Sequence, residues 1–299
     1  MDINQDFFNY LEPYLIKLRE KVGPDFVVFG SAPLYLLGIV EFNGKINDLD
    51  INLTDPNCIP KEALEVTFHK DQKQKLYKIM IADLEIDIGV SWPGYENFLK
   101  KIKSNPIVIA GFKFANLDIV EEWKKEMVKR YDRQKDKDYL QKINNWRVLS
   151  ALKTFYNLID NQNIKWILSG STSLFIQGVD VVISNDIDIL TDESGATALD
   201  KLLSAHQVKP MSYSETDKYK SYFGVYQIDQ TKLEIMGDFQ YRLNNGSWSE
   251  VNQNNEVVFK TLMGMKLPLL KLEQELIEYE NMGRADKAEK IKEALKNKQ

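Results

Sequence analysis

Apolar residues recur at helical spacing over Phe7 to Val22 and again over Trp146 to Ile159, the signature of a helix with one face against a core. A short apolar run follows each: Phe26-Val27-Val28-Phe29, then Trp166-Ile167-Leu168. Such runs, ending near Gly30 and Gly170, predict buried strands. Beyond Gly30-Ser31 the pattern predicts a helix over Ala32 to Ile39, a turn at Asn43-Gly44 and a strand at Asp48 to Leu53. From Leu84 to Val90, apolar Leu, Ile, Ile and Val alternate with Glu85, Asp87 and Gly89. A period of two puts both carboxylates on one face of a half-buried strand. Asp186 to Leu190 alternates in the same way, and Asn244-Asn245-Gly246 marks a turn. Glu273 to Asn281 and Arg284 to Leu295 are strongly helical, with Met282-Gly283 interrupting them.

These elements occur twice, in one order. Gly30-Ser31 leads to Asn47-Asp48-Leu49-Asp50-Ile51; about 140 residues later Gly170-Ser171 leads to Asn185-Asp186-Ile187-Asp188-Ile189. Each copy then carries Leu-Glu-Ile, as Leu84-Glu85-Ile86 and Leu233-Glu234-Ile235. Gly-x-Lys and a leucine come next: Gly111-Phe112-Lys113 with Leu117, and Gly264-Met265-Lys266 with Leu270. A helix with Arg followed by Asp-Lys closes each copy, at Arg133 with Asp136-Lys137 and at Arg284 with Asp286-Lys287. Self-similarity of this kind signals a duplicated domain. The expected division is 1–144 and 145–299, two domains near the usual size. No Pro/Gly/Ser linker marks the boundary at Asp138 to Asn145, so the copies are expected to pack on each other. The predicted fold class is α+β, with a small mixed β-sheet flanked by helices in each copy.

Composition narrows the classes. The chain is 43% hydrophobic and 28% charged, enough apolar residue for each half to bury a core. No apolar run approaches the ~20 residues that span a bilayer, and Met-Asp-Ile-Asn-Gln lacks the basic start of a signal peptide. Cys58 is the sole cysteine, which excludes a disulfide framework and a thiolate metal site. A cytoplasmic location is the expectation. His69 and His206 match no zinc spacing with Cys58 and read as surface residues. A net charge of −5 argues against broad nucleic-acid binding, although lysines crowd Trp123 to Lys142.

The candidate chemistry lies in the acids. Asp48 and Asp50 stand two apart on a strand, as do Asp186 and Asp188, so each pair faces one side. Carboxylates that converge repel unless cations sit between them. Mg²⁺ takes hard oxygen ligands and commonly uses one or two carboxylates plus substrate phosphates. Two such ions activate an attacking oxygen and stabilise the leaving one. Glu85 or Asp87 is placed to supply a third acid in the first copy, and Glu234 in the second. Gly30 and Gly170 allow close backbone approach to phosphate, and Ser31 and Ser171 offer hydroxyls beside it.

Gly-Ser, a helix, Asp-x-Asp and a later acidic strand together resemble the nucleotidyltransferase superfamily typified by DNA polymerase beta, with its antibiotic and minimal bacterial members. The resemblance covers nearly the whole chain, once per half. It implies two tandem nucleotidyltransferase-like domains and an enzyme that moves a nucleoside monophosphate from an NTP such as ATP. The acceptor it implies is a hydroxyl, expected on a small molecule. It carries metal binding onto Asp48, Asp50, Asp186 and Asp188, and phosphate binding onto Gly30, Ser31, Gly170 and Ser171. Aligning the two Leu-Glu-Ile segments favours Glu85 and Glu234 as third acids, with Asp87 competing in the first copy. On that alignment Met236 stands where the first copy has Asp87. Small members of the superfamily often build the cleft between two subunits, so the tandem is expected by analogy to be an internal pseudo-dimer, itself a monomer or homodimer. Two other functions remain open: a non-catalytic nucleotide-binding or scaffold protein, and a toxin-like enzyme acting on RNA or protein.

Plainer readings apply elsewhere. Lys113 and Lys266 read as solvated lysines as readily as phosphate ligands. Arg133, Asp136, Lys137, Arg284, Asp286 and Lys287 read as salt-bridged helix surface or inter-domain contacts. Tyr219, Tyr222, Phe223 and Tyr226 read as core or hairpin packing. Trp92, Pro93 and Tyr95, following the acidic strand, are placed to wall a pocket.

Overall fold

The computed structural model describes residues 3–68, 74–90, 92, 95–243, 245–251 and 256–297. His69, Pro93 and Asn244 lie outside them. The chain divides into two compact units, 1–143 and 144–299.

The first unit runs α1 (Gln5–Val22), β1 (Phe26–Val28), α2 (Ala32–Leu36), β2 (Asp48–Leu53), β3 (Leu64–Phe68), β4 (Gln74–Ile81), β5 (Leu84–Gly89), α3 (Glu96–Ser104), β6 (Ile107–Ile109), β7 (Phe112–Phe114) and α4 (Leu117–Tyr131). Helix α5 (Gln134–Ile159) follows. The second unit continues β8 (Ile167–Ser169), α6 (Gly170–Ile176), β9 (Asp186–Thr191), α7 (Glu193–Leu202), β10 (Gln207–Glu215), β11 (Tyr219–Ile228), β12 (Thr231–Tyr241), β13 (Val257–Leu262), β14 (Met265–Leu270), α8 (Leu272–Asn281) and α9 (Ala285–Lys296). The boundary falls inside α5, because Gln134 to Ile159 contains no Pro or Gly to stop a helix. Helix α2 is shorter than its pattern predicts. Gly38 turns at φ +67°, and the amides of Ile39 and Val40 donate back to the Leu34 carbonyl.

Each unit is built on a seven-stranded mixed sheet, and the two sheets have one topology. The orders are β3-β4-β5-β2-β1-β7-β6 and β10-β11-β12-β9-β8-β14-β13. The Asp-x-Asp strands β2 and β9 are central, each parallel to the later acidic strand, β5 or β12. Two-residue periodicity decides which side chains face the helix. In the first unit Leu49, Ile51, Ile86 and Ile88 pack with Phe7, Leu11, Leu15 and Leu18 of α1. In the second, Ile187, Ile189, Leu233 and Ile235 pack with Val148, Leu152 and Phe155 of α5. The acids that alternate with these residues are thereby turned to the opposite sheet face. Among the described residues, no helix is long and apolar enough to cross a membrane.

Candidate active site

Parallel pairing sets the acids in register across two strands. In the first unit Asp48 is opposite Glu85, and Asp50 is opposite Asp87. In the second, Asp188 is opposite Glu234, and Asp186 is opposite Lys232. Glu234 is therefore the counterpart of Asp87. The Leu-Glu-Ile alignment, which matched it to Glu85, is off by one strand period. Ile86-Asp87-Ile88 matches Leu233-Glu234-Ile235, Lys232 takes the place of Glu85, and Met236 that of Gly89. The physical cause is that strand pairing, and not the identity of one tripeptide, fixes depth along the sheet. Glu85 lies at the rim, where its carboxylate meets Lys78 Nζ at 2.5 Å.

The glycine at each strand-to-helix turn lies against the second aspartate. Gly30 and Gly170 have φ of +66° and +71°. A Cβ on Gly30 would lie 1.9 Å from Asp50 Oδ2, and one on Gly170 would lie 2.0 Å from Asp188 Oδ2. Any side chain there would collide with the carboxylate, and the backbone conformation disfavours one independently. The serines diverge. Ser31 lines a cavity with Gly30, Asp48, Asp50 and Asp87. Ser171 is 2% exposed, and its Oγ accepts the Ser184 N–H at 2.9 Å. Its hydroxyl holds the chain entering β9, and Ser169 and Gly170 face the cavity instead.

That cavity, about 380 Å³, is the larger of the two acid-lined spaces; its counterpart in the first unit is about 130 Å³. Asp188 and Glu234 stand on its sheet side. Glu275 and Glu278 of α8 line it too, although they are 1% and 3% exposed. Their Oε1 atoms have no hydrogen-bond partner. Tyr219, Phe223 and Phe239 add aromatic walls, and Arg284 a cation. Tyr219 and Phe223, expected as core or hairpin packing, and Arg284, expected as salt-bridged helix surface or an inter-domain contact, thus line the cavity. Tyr226 is indeed core, its hydroxyl donating to Asp200 at 2.5 Å. A larger cavity of about 570 Å³, lined by Tyr156, Trp166, Phe259 and Lys266 among others, contains none of these acids.

Burial and mutual repulsion dominate the electrostatics. Burial, then the Asp186 charge, then Glu234, pushes the Asp188 carboxyl up to about 7. Burial and then Asp48 raise Asp50 to about 6, with Lys124 and Lys135 opposing. Asp186 and Asp87 are raised chiefly by burial. Burial raises Glu278 to about 7 and holds Glu275 well above the carboxylate range, with Glu278 adding to it. These acids resist ionisation together unless cations join them. Among the described residues, no group of three or more His, Cys, Asp or Glu side chains gathers closely enough to hold a metal ion by itself. The acids line an open cavity and do not close a cage.

In the first unit the same face is occupied differently. Lys78 Nζ lies 3.2 Å from Asp87 Oδ1. Lys124 of α4, 8% exposed, lines the cavity and pairs with the fully buried Asp136 at 3.0 Å. Arg133 meets Asp136 at 3.3 Å. This trio belongs to the site, whereas Lys137 pairs with Asp132 at 2.6 Å as a helix-surface residue does. Lys113 pairs with Asp25 at 3.1 Å. Trp92 does wall the cavity.

The sequence model of the aminoglycoside-2″-adenylyltransferase family matches residues 151–296. A Thermotoga maritima protein assigned as a nucleotidyltransferase is 39% identical, over 50% of this chain and 92% of its own, with a TM-score of 0.43. A lincosamide antibiotic adenylyltransferase solved with lincomycin bound is 16% identical over 48% of this chain and 95% of its own, with a TM-score of 0.35. ANT(2″)-Ia in complex with adenylyl-2″-tobramycin is 11% identical over 50% and 88%, with a TM-score of 0.35. No curated protein sequence matches the chain. Each of the three structures spans about half of the chain, the length of one copy of the duplicated domain. On the 39% identity that runs through 92% of the Thermotoga protein, the chain belongs to the nucleotidyltransferase superfamily and is an enzyme of it.

Proposed function

We propose that the second unit transfers a nucleoside monophosphate from a Mg²⁺-bound NTP to a hydroxyl of a small, amine-bearing acceptor. The observation that carries this reading is the placement of Asp188 opposite Glu234, with Asp186 on the same strand, beside Gly170 and above a cavity of about 380 Å³. The donor set is all oxygen, which suits Mg²⁺. One or two carboxylates with substrate phosphates make a complete Mg²⁺ shell, so no closed protein cage is required. Asp186 and Asp188 would hold the metal, with Glu234 beside them. When bound, Mg²⁺ supplies Lewis-acid polarisation of the phosphoryl oxygens and charge neutralisation at the leaving pyrophosphate.

The chain's own residues position and exclude. Gly170 leaves room for Asp188 and for phosphate against the backbone. The Arg284 guanidinium, on the same cavity, is placed to pair with phosphate oxygens. Glu234 is positioned to accept the proton of an acceptor hydroxyl, and Lys232 Nζ at 2.6 Å orients it. Glu275 and Glu278 present unpartnered carboxylate oxygens among aromatic rings. A protonated amino group satisfies such atoms, which is why an amine-bearing polyol, as in the family whose sequence model matches this half, suits the cavity.

The test is calorimetric titration of Mg²⁺ with a non-hydrolysable ATP analogue, followed by pyrophosphate release over a panel of amino-sugar and other hydroxyl acceptors. Metal-dependent nucleotide binding that Asp188→Asn abolishes is the expected result. Binding of no NTP, or binding indifferent to metal, would overturn the reading.

A further inference from the structure

The two acid sites are related by a buried charge exchange. Lys124 stands nine residues before Arg133, and Glu275 nine before Arg284. Asp136 stands three after Arg133, and Lys287 three after Arg284. Both members at the first position are buried and line their cavities, Lys124 at 8% exposure and Glu275 at 1%. The charge that α4 points at Asp50 is therefore positive, and the charge that α8 points at Asp188 is negative. The wider lining follows suit. Four acids of the first cavity face three basic residues, Lys124, Arg133 and Lys135. Four acids of the second share the lining with Arg284 alone, and Lys287 of α9 acts on Asp186 and Asp188 from outside that lining. A lysine on the third acid does not separate the sites, because Lys78 meets Asp87 and Lys232 meets Glu234.

Space follows charge. Gly89 lacks a side chain, and Trp92 takes its place: a Cβ there would lie 2.6 Å from Trp92 Cζ2. Trp92 stacks on Trp123 at 4.9 Å, and Phe98 and Phe29 pack on Trp123 at 5.1 and 5.6 Å. Rings of the chain itself fill the cleft and leave about 130 Å³ beside the acids. In the second unit the register equivalent of Gly89 is Met236, which lines an open cavity.

We propose that Lys124 is the built-in counter-ion of the first unit, standing where a divalent cation would otherwise neutralise Asp48 and Asp50, so that this copy takes up neither metal nor NTP and catalysis belongs to the second copy alone. This rests on the metal-dependent reading of the second unit. An acid pair that already has a buried ammonium beside it gains little charge balance from an ion. Adding one brings a dication against that ammonium in a low-dielectric space.

The experiment counts Mn²⁺ by electron paramagnetic resonance on the full chain with a non-hydrolysable ATP analogue. Binding saturating on one copy's acids, lost in Asp188→Asn and retained in Asp50→Asn, is expected. Ions at both copies, or loss in Asp50→Asn, would overturn the division while leaving metal-dependent transfer intact. No ion at all would overturn both, and the titration of Mg²⁺ with nucleotide would then fail too. A charge-exchanged variant, Lys124→Glu with Asp136→Lys, reproduces the arrangement of the second unit and keeps a buried pair. It should bind additional Mn²⁺ at Asp48 and Asp50. Unchanged binding in that variant, with wild-type thermal melting, would overturn the role given to Lys124.

Discussion

The two halves share a sheet order, a Gly–Asp contact and a pair of aspartates on a central strand, yet they meet the same electrostatic problem in opposite ways. Asp50 has an ammonium buried alongside it. Asp188 has two more carboxylates, Glu275 and Glu278, each with an Oε1 atom that no hydrogen bond reaches, and its opposing cations are Lys287 and Arg284. An internally balanced site is stable as it stands. An unbalanced one has a free-energy deficit that a ligand of the right sign can relieve, and that deficit is what makes it a binding site. The lesson is that strand motifs identify the ancestry of a site, whereas the helix packed above it decides whether the site is still open.

The largest expected effect separates the copies by activity. Asp188→Asn should lower nucleotidyl transfer by about three orders of magnitude, on the scale of losing a group that stabilises transition-state charge. Asp50→Asn should leave it within about twofold, as read by pyrophosphate release. Equal losses would erase the contrast. Stability should show the reverse asymmetry. Lys124→Ala leaves the buried Asp136 with Arg133 as its cation and should cost about 3 kcal/mol in urea unfolding, the low end for breaking a buried pair. Glu275→Ala removes one of several repelling acids, and a cost below about half of that is expected.

A pH series sharpens the same point. Burial raises Glu278 from 4.5 to about 7 in the folded chain. The folded state therefore holds this proton more tightly than the unfolded state. Its stabilising contribution is fully present below pH 4.5 and is lost as pH rises through about 7, a change of order 3 kcal/mol. In metal-free protein, Glu278→Gln should flatten the fall in melting temperature across that window. The smallest effect concerns the serines. Ser171→Ala removes a buried bond to Ser184 N–H and should cost about 1 kcal/mol, whereas Ser31→Ala should change stability by less than about 0.5 kcal/mol.

Much of this was legible in the residues themselves. Alternation in Asp48–Leu53 and Asp186–Thr191 placed each aspartate pair on one sheet face, and the duplication placed both on one kind of sheet. The third acid was harder to place. Two identical Leu-Glu-Ile tripeptides invited an alignment that only inter-strand pairing could refute, because sequence carries no direct record of register. Lys124, Glu275 and Glu278, and the burial of the salt-bridged Asp136, were invisible for another reason. Charges on a helix read as solvated by default, and nothing local reports that a second helix and a sheet have closed over them. Ser171 was misjudged because its hydroxyl serves a backbone amide 13 residues away.

The tryptophan pair has an optical consequence. Trp92 and Trp123 stack with ring centroids 4.9 Å apart and planes 20° from parallel, close enough for their excited states to couple. Neither residue lines the open cavity of the second unit. Near-ultraviolet dichroism should therefore carry a band from these two indoles, an intrinsic chromophore that reports on the first unit while ligands are titrated.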